Sequence, residues 1–102
     1  MEYQIAVGAV MTFKLNSGEE LIAKVVGVDG QFVKVTEPVS IAPSPQGMGL
    51  VPSMFTAEPT AESVININSV SLYAVTEESV KFKYIEATTG IKLPPEKKII
   101  LG

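Results

Sequence analysis

Two carboxylate pairs, Glu19-Glu20 and Glu77-Glu78, are the residues closest to an acid–base arrangement in this chain. Two carboxylates sharing a site could trade a proton. Neighbouring residues of a strand point to opposite faces, so neither pair forms a dyad by itself. Solvated turns account for both. Gly47-Met48-Gly49 is no phosphate loop, because the required spacing and the Lys are missing. The chain has neither His nor Cys. That removes the commonest general base and transition-metal ligand, and it excludes disulfides and thiolate metal sites. Nothing supplies a nucleophile with a base. No catalytic residue, no metal and no cofactor are therefore expected.

Binding chemistry is better represented. Phe32 and Lys34 stand two apart, and Lys81 and Lys83 alternate with Phe82 and Tyr84. Aromatic rings stack on bases and ammonium groups meet phosphates, so such strands suit single-stranded nucleic acid. A sheet with one solvated face explains the second pattern equally well. The overall charge is unfavourable for this role: all cations are lysines and the net charge is −3. A second cluster is apolar: Met48, Leu50, Met54 and Phe55. Three roles are open to it: folding back on the domain, joining an oligomer interface, or binding a partner protein.

The elements that must position these groups read as strands. Met11, Phe13 and Leu15 alternate with Thr12, Lys14 and Asn16, which predicts a half-buried strand over 9–16. Asn16-Ser17-Gly18 is turn chemistry. A longer strand follows over 19–28, with Gly27 marking a bend. Asp29-Gly30 reads as the two central residues of a tight hairpin. A third strand over 31–36 carries Val33 and Val35 on one face and Phe32 and Lys34 on the other. Pro38 should weaken it, with Val39 and Ile41 extending it past a kink. Residues 42–62 hold four prolines and two glycines, which predicts a long loop with a short paired piece near Leu50-Val51. Residues 63–75 read as one long strand, Thr76 to Ser79 as a turn, and Val80 to Ala87 as a final strand ended by Thr88-Thr89-Gly90. No stretch shows convincing helical periodicity. The fold class expected is all-β, a small five-stranded, strongly bent antiparallel sheet or partly open barrel in a single domain.

Residues Phe13 to Gly30 resemble the Sm-like (LSm) family. That family's first motif is a strand with a Leu, a turn ending in Gly, a long bent strand with a small central residue, and an Asp at the hairpin. Leu15, Gly18, Ala23 and Asp29 stand at those spacings, with Ala23 in place of the usual Gly. The likeness covers residues 9 to about 36, and is similar to that of divergent Sm-like proteins of marine phage origin. The family's second motif, an Arg-Gly or Lys-Gly pair, would fall at Thr76-Glu77-Glu78, where acidic residues stand instead.

The resemblance implies a homo-oligomeric ring of roughly five to seven subunits, in which the fourth strand of one subunit pairs with the fifth of the next. Such pairing would cover some apolar surface of a chain that is 46% hydrophobic. It also implies RNA binding at the pore. Counting directly from Asp29 puts Gln31 at the base-stacking position and Val33 at the base-reading position. A hairpin shorter by one residue puts Phe32 and Lys34 there and leaves Val33 and Val35 to the core, which alternation favours. Two readings therefore stand: an RNA-binding ring using Asp29, Gln31, Phe32 and Lys34, and a structural or protein-interaction ring using the 42–62 loop with Met48, Leu50, Met54 and Phe55. The start Met1-Glu2-Tyr3-Gln4 lacks a basic region and no apolar run approaches a membrane span, so a cytoplasmic protein (host cytoplasm for a phage source) is the expectation.

Overall fold

The computed structural model describes residues 5–58 and 60–90. The period-two pattern of the sequence is realised as six antiparallel strands: β1 (Val10–Leu15), β2 (Glu20–Asp29), β3 (Phe32–Ser44), β4 (Gly47–Pro52), β5 (Glu62–Asn66) and β6 (Val70–Val75). A three-residue 3-10 turn, Ile67–Ser69, joins β5 to β6, and a helix, α1 (Glu78–Thr89), follows. The order across the sheet is β4-β3-β2-β1-β6, with β5 also on β3. The protein is thus an all-β, strongly bent sheet. β5 and β6, at opposite ends of the bend, are joined through the turn and do not pair, so the barrel is not closed.

The long β3 explains the arrangement. One of its edges pairs with β2; the other is divided, Phe32–Thr36 facing β5 and Val39–Ser44 facing β4. Glu37 and Pro38 separate the halves. Pro38 has no N–H to give to a ladder, and Glu37 sits at φ 52°, in the left-handed region. The strand kinks there and continues, as its sequence implies. Gly27 lies beside a second break in the β2–β3 register, where Val26 is left unopposed.

One side of the sheet encloses the core: Met11, Phe13, Leu21, Ala23, Val25, Val33, Val35 and Ile67, with Ile65, Val70 and Tyr73 packed on it. Met11 to Val35 of this set are the alternate residues that the pattern assigns to the inner faces of β1, β2 and β3. A second cluster lies on the other face. Val10, Ile22 and Val39 are covered by Tyr84 of α1, with Leu50, Val80 and Ile85 around them.

Four expectations are corrected. There are six strands, not five, because part of the Pro-rich segment forms the β3–β4 hairpin. The strand expected over 63–75 is broken at Ile67–Ser69. The Asn66 side chain accepts from the Asn68 amide (3.0 Å) and the Ser69 hydroxyl donates to the Asn66 carbonyl (2.7 Å). Such local side-chain bonds compete with the ladder. The hairpin turn lies one residue later than expected: Asp29 pairs with Phe32, so its loop is Gly30-Gln31, with Gly30 at φ 61°. That placement matches turns that need glycine at the first central position.

The strand expected over 80–87 is α1. Val80, Tyr84, Ile85 and Thr88 recur at helical spacing, and the Lys-aromatic alternation hides this. The expected turn at 76–79 is the helix start. Glu77 is the N-cap, its carboxylate accepting from the Val80 amide (3.2 Å) and the Ser79 hydroxyl (2.5 Å). These bonds hold the Glu77 pKa below the usual carboxylate value. Gly90, at φ 75°, closes α1 with its N–H on the Glu86 carbonyl (3.0 Å). No helix among the described residues is long and apolar enough to cross a membrane.

Candidate functional site

The β2–β3 hairpin places the candidate base-binding residues together. Asp29, Phe32 and Asn66 stand side by side across β2, β3 and β5, and Gly27, Lys34 and Val64 form the next row. Directly opposed residues share a face. Val33 and Val35 are buried on the core side, so Phe32 and Lys34 point outward. Phe32 is 42% exposed, and the Lys34 stem passes over Gly27, where a Cβ would meet it at 3.7 Å.

Gln31 stands at the tip of the same hairpin. Its carbonyl accepts from the Ile67 amide (2.7 Å), and its side-chain oxygen accepts from Asn68 (3.4 Å). Asn16 joins from the β1–β2 turn, donating to the Asn68 carbonyl (2.9 Å) and accepting from the Ser71 hydroxyl (2.6 Å). Hydrogen bonds thus link Asn16, Gln31 and Asn68 at the hairpin tip, while Asn66 stands opposite Phe32 on β5. Amides both donate and accept, which suits them to base edges. Asn66, Asn68 and Asn16 were not among the residues singled out from the sequence. The signal for two of them is Asn66-Ile67-Asn68-Ser69, a cluster of turn formers inside an apparent strand.

The apolar candidates are distributed differently. Leu50, Met54 and Phe55 line one groove between the β3–β4 hairpin and α1. Met48 does not join them; it lies on β4 opposite Pro43 and is 67% exposed. Leu50, opposite Ile41, folds back on the second cluster. Phe55 is 81% exposed.

The paired carboxylates behave as structural groups. Glu19 accepts a hydrogen bond from the buried Ser40 hydroxyl, which also contacts the Ser53 hydroxyl (2.9 Å). With the Ser53 amide on the Pro38 carbonyl (3.1 Å), this fastens the segment after β4 to the sheet. Glu77 caps α1 as described. Among the described residues no cluster of His, Cys, Asp or Glu could hold a metal ion.

Tyr84 is the strongly perturbed titratable group. Burial pushes its phenol up to about 12, the Glu37 carboxylate adds to this, and the Lys24 amide opposes it. Its hydroxyl is already committed to backbone partners, which makes it a positioning group for α1. No protein-family model matches the chain, and no curated protein is significantly similar to it.

Proposed function

We propose that this chain is a non-catalytic Sm-like ring subunit that binds single-stranded RNA on the face carrying Phe32 and Lys34. One observation carries the reading: among the described residues β5 pairs only with β3 and β6 only with β1, so each has one edge that no described strand covers. The two strands meet at the Ile67–Ser69 turn. Unpaired edges template association, and a closed ring of like subunits satisfies them all. Val64, Leu72 and Val75, on these two strands, are 59%, 66% and 70% exposed. Pairing of β5 with the β6 of a neighbour would shield them.

The RNA part rests on the exposed Phe32 with Asn66 opposite it on β5. A ring also repeats Lys34 around one axis, concentrating positive charge in a chain of net charge −3. The resemblance expects the family's second motif at Thr76-Glu77-Glu78, where acidic residues stand, while the β5–β6 turn carries Asn68. A neutral amide there supports base contact more than phosphate attraction. The exposed Phe55 and Met54 favour a second reading, a scaffold ring that engages a protein through the 42–62 segment.

Light scattering at micromolar concentration and filter binding of oligo-U and oligo-A at low salt test the proposal together. The expected results are a mass several times that of one chain and retention of RNA that Phe32→Ala and Lys34→Ala weaken. Loss of one stacked base is worth about 1–3 kcal/mol, or roughly 5- to 150-fold in affinity. A monomeric mass removes the ring. Absence of binding by an intact ring, at about tens of micromolar protein, leaves the scaffold reading.

A further inference from the structure

The groove between the β3–β4 hairpin and α1 has a volume of about 300 Å³. Val39, Leu50, Met54 and Phe55 wall one side, and Ala87 and Thr88 of α1 the other. Its apolar walls are left open, with Phe55 and Met54 81% and 48% exposed. Glu37 and Glu58 also line it, and neither has an ion-pair partner among the described residues. An apolar slot bordered by two carboxylates calls for an aliphatic segment preceded or followed by cations.

The chain itself supplies such a segment. α1 ends at Thr89, so the backbone leaves the helix immediately beyond the groove wall at Thr88. Residues 91–102 follow in the sequence and lie outside the described residues. They include Lys97-Lys98 directly before Ile99-Ile100-Leu101. Eight residues lie between Gly90 and Ile99, a reach of roughly 30 Å when extended. The groove starts at the helix end, so this tether is long enough to turn back. It also keeps the local concentration of the segment high.

We infer that the groove is the seat of the chain's own Ile99-Ile100-Leu101, with Lys97 and Lys98 against Glu37 and Glu58. This does not depend on RNA binding, because Phe32 and Lys34 lie on the other half of β3.

The chain has no Trp, so Phe55→Trp makes a lone indole at an exposed position, excited selectively beyond the tyrosine absorption, and Met54→Trp gives a second reporter. In the full chain either indole is expected to emit at shorter wavelength and to resist acrylamide. Adding Ile99→Ser, Ile100→Ser and Leu101→Ser should raise the quenching constant several-fold, and Lys97→Glu with Lys98→Glu should raise it less. Circular dichroism checks that the fold is unchanged. Equal quenching of both reporters with and without the serine substitutions overturns the inference. So does protection of the reporters in the full chain that is lost on dilution, since that assigns the groove to a second copy.

Discussion

The Tyr84 hydroxyl lies 3.0 Å from the Glu37 carbonyl, joining α1 to the one described non-glycine residue with positive φ. The same hydroxyl reaches the Thr36 carbonyl (3.1 Å) and accepts from the Lys24 amide (3.2 Å). The reason lies in the sheet. Lys24 pairs with Thr36 and Ile22 with Val39, so Glu37 and Pro38 together oppose Ala23. Two residues against one make a bulge, and a bulge interrupts the ladder. Tyr84 supplies, from another element, the hydrogen bonds that the ladder gives up there. The phenol is 3% exposed, so no water could take its place without rearrangement.

Tyr84→Phe should therefore destabilise the protein although it keeps the ring. It leaves the Lys24 amide and the carbonyls of Thr36 and Glu37 short of a partner. Such unpaired groups cost about 1–3 kcal/mol when buried. Urea denaturation should show a lower midpoint with an unchanged slope. An unchanged midpoint would mean that the hydroxyl contributes nothing net.

The same phenol makes stability fall in alkali. Its pKa is about 12 in the folded chain and about 10 for an unperturbed tyrosine. The folded form holds its proton more tightly, so its contribution is complete below pH 10. It declines as pH rises from about 10 to about 12, by about 2–3 kcal/mol at most. Denaturation midpoints across this range should slope downward in the parent, and the slope should be shallower in Tyr84→Phe. Parallel slopes would assign the alkaline loss to other groups.

The residues that could be read from the sequence are those whose period is undisturbed. Met11 and Phe13, Leu21, Ala23 and Val25, and Val33 and Val35 alternate without interruption, and all are buried in the inner core. The orientation of Phe32 and Lys34 follows from the same alternation. The misread elements are those in which two periods coincide. Val80, Phe82 and Tyr84 alternate with Lys81 and Lys83 as a strand would, while Val80 and Tyr84 are also one helical turn apart. Glu77 is not a common N-cap residue, so the start signal was weak. The amide cluster at the hairpin tip was hidden for a different reason. Asn16, Gln31 and Asn68 are far apart in the chain, and only the bend of the sheet brings them together. Prolines make the 42–62 segment read as a loop. Yet Pro43 and Pro52 both lie on strands there, at an edge where a missing N–H costs little.

Glu37 offers a test of the kink itself. An L-residue in the left-handed region carries roughly 1–2 kcal/mol of strain, most severe for β-branched side chains. Glycine removes that strain but adds freedom to the unfolded chain, about 0.4–1 kcal/mol in the opposite direction. Glu37→Gly should therefore be neutral to about 1 kcal/mol stabilising. Glu37→Val should be destabilising by 1 kcal/mol or more, on the order of the same strain. Paired thermal melts give the order Gly, Glu, Val from most to least stable. The reverse order would place the strain elsewhere.

The free edges predict which surface substitutions change assembly without changing the fold. Leu72 and Val64 are 66% and 59% exposed in the single chain, so a lysine at either position meets solvent and should shift monomer stability by less than about 0.5 kcal/mol. In a ring each would stand at the border where β5 of one subunit meets β6 of the next, and the lysines would crowd that seam with buried or like charge. Leu72→Lys combined with Val64→Lys should therefore lower the mass measured by light scattering to that of one chain while leaving the circular dichroism spectrum intact. Glu62→Lys is the control. It also lies on β5, but reverses a charge at a position that already carries one, and should leave the assembly in place. If the double lysine variant kept the parent mass, the contacts that hold the oligomer would have to lie away from β5 and β6.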